Sequence, residues 1–300
     1  MGLSFVRDGA GTAAVAPAVE FWESSYREHA HERFGAVARA RGRAFGRPAA
    51  AALLAHVADA TPFPGAGRAV LVTGAAGGIG GAIAARLERD GWRVHGVDVD
   101  DADLATPEGN GAVVAAAQAR FGRLDAVVAA AGFQHVAPVR TFPLDRWEAL
   151  LAIHLTSPFL LARHAWDSLA ASGDGRFCVI GSAHSLAASP FKAGYVAAKH
   201  GVLGLVKTIA LEGGPVGISA SAICPGYVRT PLVEAQVADQ AAAHDLPEER
   251  VLEEVILAPQ PVKRLLEPAE VADVVAFVLG PAGRAITGAP LVMDLGWTAR

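Results

Sequence analysis

Tyr195 and Lys199 stand four residues apart in Tyr195-Val-Ala-Ala-Lys199, and Ser182 lies thirteen residues before the tyrosine. At i and i+4 the phenol and the ammonium share one face of a helix. A tyrosine is a poor base near neutral pH because its reference pKa is about 10, but a neighbouring cation stabilises the phenolate and lowers that value. The spacing therefore predicts a general acid/base. Tyr195 would take the proton of a substrate hydroxyl in oxidation and return it in reduction, with Lys199 supplying the charge and able to bond a nicotinamide ribose. The hydroxyl of Ser182 could orient the substrate oxygen. An isolated Tyr-x-x-x-Lys is ordinarily a surface pair. Its meaning changes because a glycine-rich turn, Thr73-Gly74-Ala-Ala-Gly77-Gly78-Ile79-Gly80, precedes it. Turn and trio together predict hydride transfer between a nicotinamide cofactor and an alcohol or ketone.

The turn falls between an apolar run ending at Val72 and a helical pattern carrying Ile83 and Leu87. Gly74, Gly78 and Gly80 would let the backbone approach a pyrophosphate, and the following helix N-terminus offers unpaired N–H groups and a positive dipole end. Asp98 ends the next strand, 18 residues after Gly80. A carboxylate there accepts hydrogen bonds from an adenosine ribose diol and repels a 2′-phosphate. With no Lys or Arg in the turn, NAD is expected over NADP. Asp103 and Leu104 are expected to reach the adenine from the end of a short third strand, and Asp100 and Asp101 to be a solvated loop.

These groups need a scaffold. From residue 68 short β-branched runs alternate with longer amphipathic ones: strands over 69–73, 93–98, 125–130, 176–181, 219–223 and 290–294, and helices over 80–90, 112–121, 144–171, 195–212 and 267–280. This alternation predicts an α/β fold, a Rossmann-type doubly wound parallel sheet whose strand carboxyl ends carry the ligand site. Residues 1–67 read as an N-terminal helical extension and linker. Trp22, Tyr26, Ala30, Phe34 and Val37 recur at helical spacing, a second helix is expected to start at Pro48, and Thr61–Gly67 reads as the linker. The extension would dock on the main domain or on a neighbouring subunit, as a packing appendage or as a partner site. Residues 231–262 are polar and alanine-rich and read as a helical lid, with a static helical decoration as the alternative.

Over residues 68–300 the chain resembles the short-chain dehydrogenase/reductase family. The resemblance carries Ser182, Tyr195 and Lys199 to the catalytic roles above. It also implies that Pro225-Gly226-Tyr-Val228-Arg-Thr230 lies along the nicotinamide, with Val228 and Thr230 near the carboxamide. Three departures stand out. The family often has Asn in an Asn-Ala-Gly turn, where this chain has Ala131 before Gly132. It often has Asn on the helix that holds a water beside the catalytic lysine, a position taken here by His154. A further Asn ahead of the Pro-Gly motif is Ser221. The first and third are expected to affect turn packing. The imidazole of His154 could bond the same water, titrate directly, or merely pack.

A narrower resemblance, to the D-3-hydroxybutyrate dehydrogenase subfamily, rests on four places: Gly132-Phe-Gln134-His, Gly181-Ser-Ala-His184, Phe191-Lys192-Ala-Gly-Tyr195 and Thr230-Pro-Leu-Val-Glu-Ala-Gln236. It implies that Gln134, His184, Lys192 and Gln236 bind a substrate carboxylate. Lys192, three residues before Tyr195, can fix an anion near the reacting carbon. Tyr227 and Trp297 look like apolar walls near the substrate methyl, with Tyr227 standing where that subfamily often has Trp. The substrate so implied is D-3-hydroxybutyrate or a similar small anionic 3-hydroxy acid. The other readings are a related enzyme acting on a bulkier hydroxyl compound, and an NAD(H)-sensing module without turnover.

Bulk properties agree. With 52% hydrophobic and 19% charged residues the 300-residue chain is expected to fold, and a net charge of −4 gives no reason to expect nucleic acid or an anionic membrane as partner. Cys178 and Cys224 lack metal-ligand spacing, so neither metal nor disulfide is expected, and a reducing cytoplasm fits. There is no apolar stretch of about 18 residues to predict a membrane span, and no signal peptide is recognised. Family resemblance implies a homotetramer.

Overall fold

A computed structural model of the chain describes residues 65–299. The helices and most of the linker expected within residues 1–67 lie outside the described residues.

Six parallel strands form one sheet in the order β2-β1-β3-β4-β5-β6. They are β1 (Ala69–Thr73), β2 (Arg93–Val97), β3 (Ala126–Ala129), β4 (Gly175–Ile180), β5 (Ile218–Pro225) and β6 (Ala289–Met293). The helices that matter here are α1 (Gly78–Arg89), α2 (Pro107–Phe121), α3 (Leu144–Leu151), α4 (Ser157–Ala171), α5 (Ala193–Gly213), α6 (Pro231–Glu234), α7 (Val237–His244), α8 (Glu248–Val251) and α9 (Pro268–Leu279). Side chains alternate along a strand, so β1 sends Val70 and Val72 to one face and Leu71 to the other. The first face packs against α1 through Ile83 and Leu87 and against α9 through Val271 and Val275. The second packs against α2, α4 and α5 through Val113, Leu161 and Val202. Burial of both faces explains why the central strands read as continuous apolar runs.

Two local features differ from the sequence reading. The short third strand expected at Asp103-Leu104 is absent. Those residues form a turn in which Thr106 N donates to Asp103 O (3.2 Å) and Ala105 N to Asp103 Oδ1 (2.9 Å). Leu104 still points inward, with 5% exposure. The turn forms because α2 begins five residues earlier than its apolar periodicity indicates. Thr106 caps it by accepting from Gly109 N at 3.1 Å, and Pro107 occupies the first turn, where no N–H is needed.

The second difference lies between α3 and α4. The helical stretch 144–171 is not uniform, since Ala152–Thr156 takes π-helical hydrogen bonding. Such single-turn insertions recur at functional sites. Here it carries His154. The 231–262 segment is helical as expected, with α6, α7, α8 and a π-helical turn at Leu252–Ile256. Its Ala241, Val251 and Ile256 form a small apolar core with Leu265, just beyond the segment, packed against Tyr227 and Val233.

Candidate active site

The glycine turn joins β1 to α1 as the sequence requires. Gly74 has φ +71°, and a Cβ there would lie 2.9 Å from Ala131 Cα. At Gly80 a Cβ would lie 2.1 Å from Gly74 O, so only glycine lets α1 fold back this tightly. The N-cap of α1 is Gly77, with no side chain bonded to the first turn and no acidic residue within it. Its backbone N–H groups are thus available to an anion. A Cβ at Gly78 would come 3.5 Å from Thr230 Cγ2, which ties the turn to the segment after β5. Asp98 follows β2 directly. Its Oδ2 accepts from Ala76 N in the glycine turn (2.9 Å) and its Oδ1 from Val99 N (2.8 Å). Each carboxylate oxygen keeps a second lone pair, so the group is oriented and can still accept from a diol. These features fit a dinucleotide: a cradle that side chains would fill, an uncapped helix end for phosphate, and a fixed acceptor one strand away.

Across the sheet edge, Ser182 follows β4 and opens a short turn, Ala183–Ser185. Its Oγ accepts from His184 N at 3.1 Å, and its backbone N donates to Ser185 Oγ at 3.2 Å. Tyr195 and Lys199 share one face of α5, and Ser182 also bonds the Tyr195 phenol. Lys199 Nζ sits 5.4 Å from the centre of the Tyr195 ring and donates to Ile180 O at 2.6 Å. Lys199 does not bring the phenol below its usual pKa, because the net shift is upward. Burial pushes the phenol up to about 12, which the Ser182 hydrogen bond only partly opposes, and burial also lowers the Lys199 ammonium to about 8. Desolvation dominates, and the ammonium is directed at a backbone carbonyl. Near pH 7 the Tyr195 phenol is therefore protonated and able to donate.

His154 lies beneath the same site, 4% exposed. Its Nε2 is 2.7 Å from Phe133 O and 3.3 Å from Phe133 N; the shorter contact is to an oxygen that can only accept, which assigns the hydrogen to this nitrogen. Nδ1 is left as a buried lone pair with no partner among the described residues. Burial, then the nearby Lys199 charge, holds the imidazole well below its usual pKa. The ring fits only because residue 132 is glycine: a Cβ there would lie 2.3 Å from His154 Cε1. The other two departures serve turn packing. The N–H groups of Ala130 and Ala131 both donate to Thr73 Oγ1 (3.0 and 3.1 Å), and Ser221 Oγ donates to Ile286 O (2.7 Å).

One pocket brings most of the expected residues together. It is lined by Ile79, Ala131, Gly132, Pro225, Gly226, Val228 and Thr230, by Gln134, His184, Lys192, Tyr227, Gln236 and Trp297, and by Ser182, Tyr195, His154 and Lys199. Gly74, Gly78, Gly80, Asp98, Asp103 and Leu104 do not line it. Lys192 is 2% exposed and burial lowers it to about 8. No carboxylate among the described residues pairs with it. Its Nζ donates instead to Tyr227 Oη (3.0 Å) and to Gln236 Oε1 (3.2 Å). Tyr227 is thus not a purely apolar wall, because its hydroxyl reaches Lys192. His184 stands at the centre, with ring centroids 5.8 Å from Tyr195, 6.4 Å from Tyr227 and 5.1 Å from Trp297. Burial and the Lys192 charge lower it to about 3, so it is neutral and bonds Ser182 Oγ and Ser189 Oγ (3.3 and 3.0 Å).

Sequence reasoning missed Ser189, Leu232 and Val233. Ser189 bonds His184, and the other two line the pocket from α6. Their signal was proximity to Lys192 and Gln236. It missed Phe191 as well, whose φ of +67° is a strained backbone for a bulky residue, directly before Lys192.

Residues 100–298 match the sequence profile of a family described as Enoyl-(Acyl carrier protein) reductase. The chain is 38% identical over 256 residues to D-beta-hydroxybutyrate dehydrogenase of Rhizobium meliloti (strain 1021), covering 78% of this chain and 99% of that protein. It is 38% identical over 255 residues to D-beta-hydroxybutyrate dehydrogenase of Cupriavidus necator, covering 78% and 99%. Acetoacetyl-CoA reductase of Shinella zoogloeoides is 32% identical over 246 residues, covering 76% and 98%.

Proposed function

Because the chain belongs to the short-chain dehydrogenase/reductase family of oxidoreductases, we propose that it interconverts D-3-hydroxybutyrate and acetoacetate, or a similar short 3-hydroxy acid, with NAD as cofactor. The observation that carries the reading is Lys192. A buried ammonium without a carboxylate partner is costly, and a substrate anion is what offsets that cost. It lies in the pocket of Ser182 and Tyr195, so an anion held there places the neighbouring carbons beside the phenol.

The chemistry that NAD supplies when bound is hydride exchange with the alcohol carbon. The glycine turn and the α1 N-terminus would hold the pyrophosphate and Asp98 the adenosine ribose, with Asp103 and Leu104 at the adenine end. Pro225, Gly226, Val228 and Thr230 would border the nicotinamide. In reduction, Tyr195 donates its phenolic proton to the carbonyl oxygen, which Ser182 orients. In oxidation the phenolate of Tyr195, formed by loss of that same proton, takes the hydroxyl proton. Lys199 stabilises the phenolate formed in reduction until a proton returns, and His154 offers Nδ1 as an acceptor on that route. Gln134, whose Oε1 already accepts from His135 N (3.0 Å), turns its NH2 group to the substrate. The 231–262 segment closes over the substrate. Trp297 walls the pocket beside His184.

Among the described residues no helix is long and apolar enough to cross a membrane. The reading includes a homotetramer in the cytoplasm, checked by sedimentation and cell fractionation. The decisive test is NADH formation from NAD and D-3-hydroxybutyrate, with the L enantiomer and NADP as controls. Turnover confined to the D acid with NAD supports the whole reading. Binding of NADH with no turnover of either enantiomer rejects the substrate.

A further inference from the structure

The hydroxyl of Tyr227 is placed as a group that reads the acid end of a substrate. An ammonium is a donor only, so both Tyr227 Oη, at 3.0 Å, and Gln236 Oε1, at 3.2 Å, accept from Lys192. One ammonium proton remains. The phenol oxygen has accepted, so its own hydrogen must be given elsewhere, and no described residue accepts it. Burial raises the phenol to about 12, which keeps that hydrogen in place at neutral pH. Gln236 has less to give: its oxygen is taken by Lys192, and one of its two amide N–H groups donates to Leu232 O at 2.8 Å, which leaves a single neutral N–H.

Two donors therefore adjoin each other on the pocket wall, an ammonium N–H and a phenol O–H. A carboxylate has two oxygens and can satisfy both, whereas an ester, thioester or amide carbonyl offers one good acceptor and no charge. The ring is fixed in place. His184 meets it edge-on at 89°, and Val233 and Val237 of the 231–262 segment pack in the same cluster. An indole at this position could not put a hydroxyl beside Lys192.

We propose that Tyr227, through its hydroxyl, is a specificity-determining donor that pairs with Lys192 to select a free carboxylate over a neutral acyl group. This rests on the 3-hydroxy acid reading and adds to it the residue that enforces the free acid.

The test is calorimetric titration of the full chain, saturated with NAD, with butyrate and with methyl butyrate. Neither ligand has an alcohol to oxidise, so the readout is binding alone. Wild type is expected to prefer butyrate. Tyr227→Phe, nearly isosteric, is expected to weaken butyrate about tenfold, the size of one charge-assisted hydrogen bond, with little change for the ester. Tyr227→Trp is expected to lose the same selectivity. Equal weakening of acid and ester, unchanged butyrate affinity in Tyr227→Phe, or no preference in wild type would each overturn the inference. Oxidation of D-3-hydroxybutyrate is measured separately. A protein that binds butyrate through Tyr227 yet oxidises no hydroxy acid retains this inference and loses the proposed reaction. One that oxidises the acid with no loss in Tyr227→Phe retains the reaction and loses the inference.

Discussion

The ring of His154 stands edge-on to that of Tyr195, with centroids 5.1 Å apart and planes at 82°. The phenol thus rests on an imidazole that is neutral near pH 7 and carries its hydrogen on Nε2. Tyr195→Phe keeps this packing and removes only the proton. It is expected to lower kcat by about 10²–10⁴-fold, the range for a general acid/base. NADH affinity, followed by fluorescence, should persist. His154→Asn is expected to lower the rate while leaving the apparent pKa values of the pH–rate profile in place. A displaced acid limb in that variant would show that the histidine titrates during turnover.

Acid should weaken the fold through two histidines. The folded-state pKa of His154 is well below 6.5 and that of His184 is about 3. Above pH 6.5 neither folded nor unfolded chain holds these protons, and no penalty arises. Below it the unfolded chain binds them and the folded chain does not, so stability falls as pH drops. Each ring contributes up to about 1.4 kcal/mol per pH unit in that window. Thermal melts from pH 7.5 to 5 should steepen accordingly, and His154→Asn or His184→Asn should each flatten the slope by about one proton.

Lys192→Met should make the protein more stable and a worse enzyme. The folded pKa of about 8 is below the unfolded 10.5, so at neutral pH the fold carries a buried charge at a cost of roughly 3 kcal/mol. That cost disappears as pH rises from about 8 to 10.5. Removing the charge should raise Tm at pH 7, while KM for an acidic substrate climbs by an order of magnitude or more. A lower Tm would mean that the bonds to Tyr227 and Gln236 outweigh desolvation.

Asp98→Ala removes the carboxylate whose two oxygens are oriented by Ala76 N and Val99 N. Affinity for NAD is expected to fall about tenfold and the discrimination against NADP to shrink, read by titration with both cofactors. Unchanged preference would move the ribose contact to another acidic residue of the 98–103 turn.

Gly132→Ala should be severe for a side chain so small, because its Cβ would lie 2.3 Å from His154 Cε1. A loss of about 1–3 kcal/mol is expected from overpacking. Gly132→Ala combined with His154→Ala should recover much of it, and the double-mutant cycle measures how much.

Most of this site was legible because its residues act through fixed spacing. The i, i+4 relation of Tyr195 and Lys199 and the strand–turn–helix placement of Gly74 to Gly80 survive any packing detail. The order of strands and helices followed from periodicity for the same reason. What escaped depended on contacts between distant segments. Nothing in Gly109-Asn110-Gly111 looks helical, yet Asn110 is fully buried and bonded to Leu104 O, Thr106 O and Ser157 Oγ, and α2 runs through it. The π-helical turn at 152–156 leaves no trace in composition. The sign of the Tyr195 shift could not be read either, since desolvation depends on everything around the phenol. Tyr227 reads as an apolar wall because it stands where the resembled subfamily often has Trp. Which end faces the pocket is decided by Lys192, 35 residues away in sequence.

The fit of His154 over Gly132 has an evolutionary reading. A glycine at residue 132 leaves room for a larger ring across from it, so an asparagine-to-histidine change at residue 154 meets no steric barrier there. With the imidazole in place the glycine is no longer free to drift, because any side chain would collide with it. The two positions form a one-way ratchet: the first permits the second, and the second then locks the first. Among relatives that carry histidine at this place, residue 132 should be invariant, while chains with a smaller residue there should tolerate alanine.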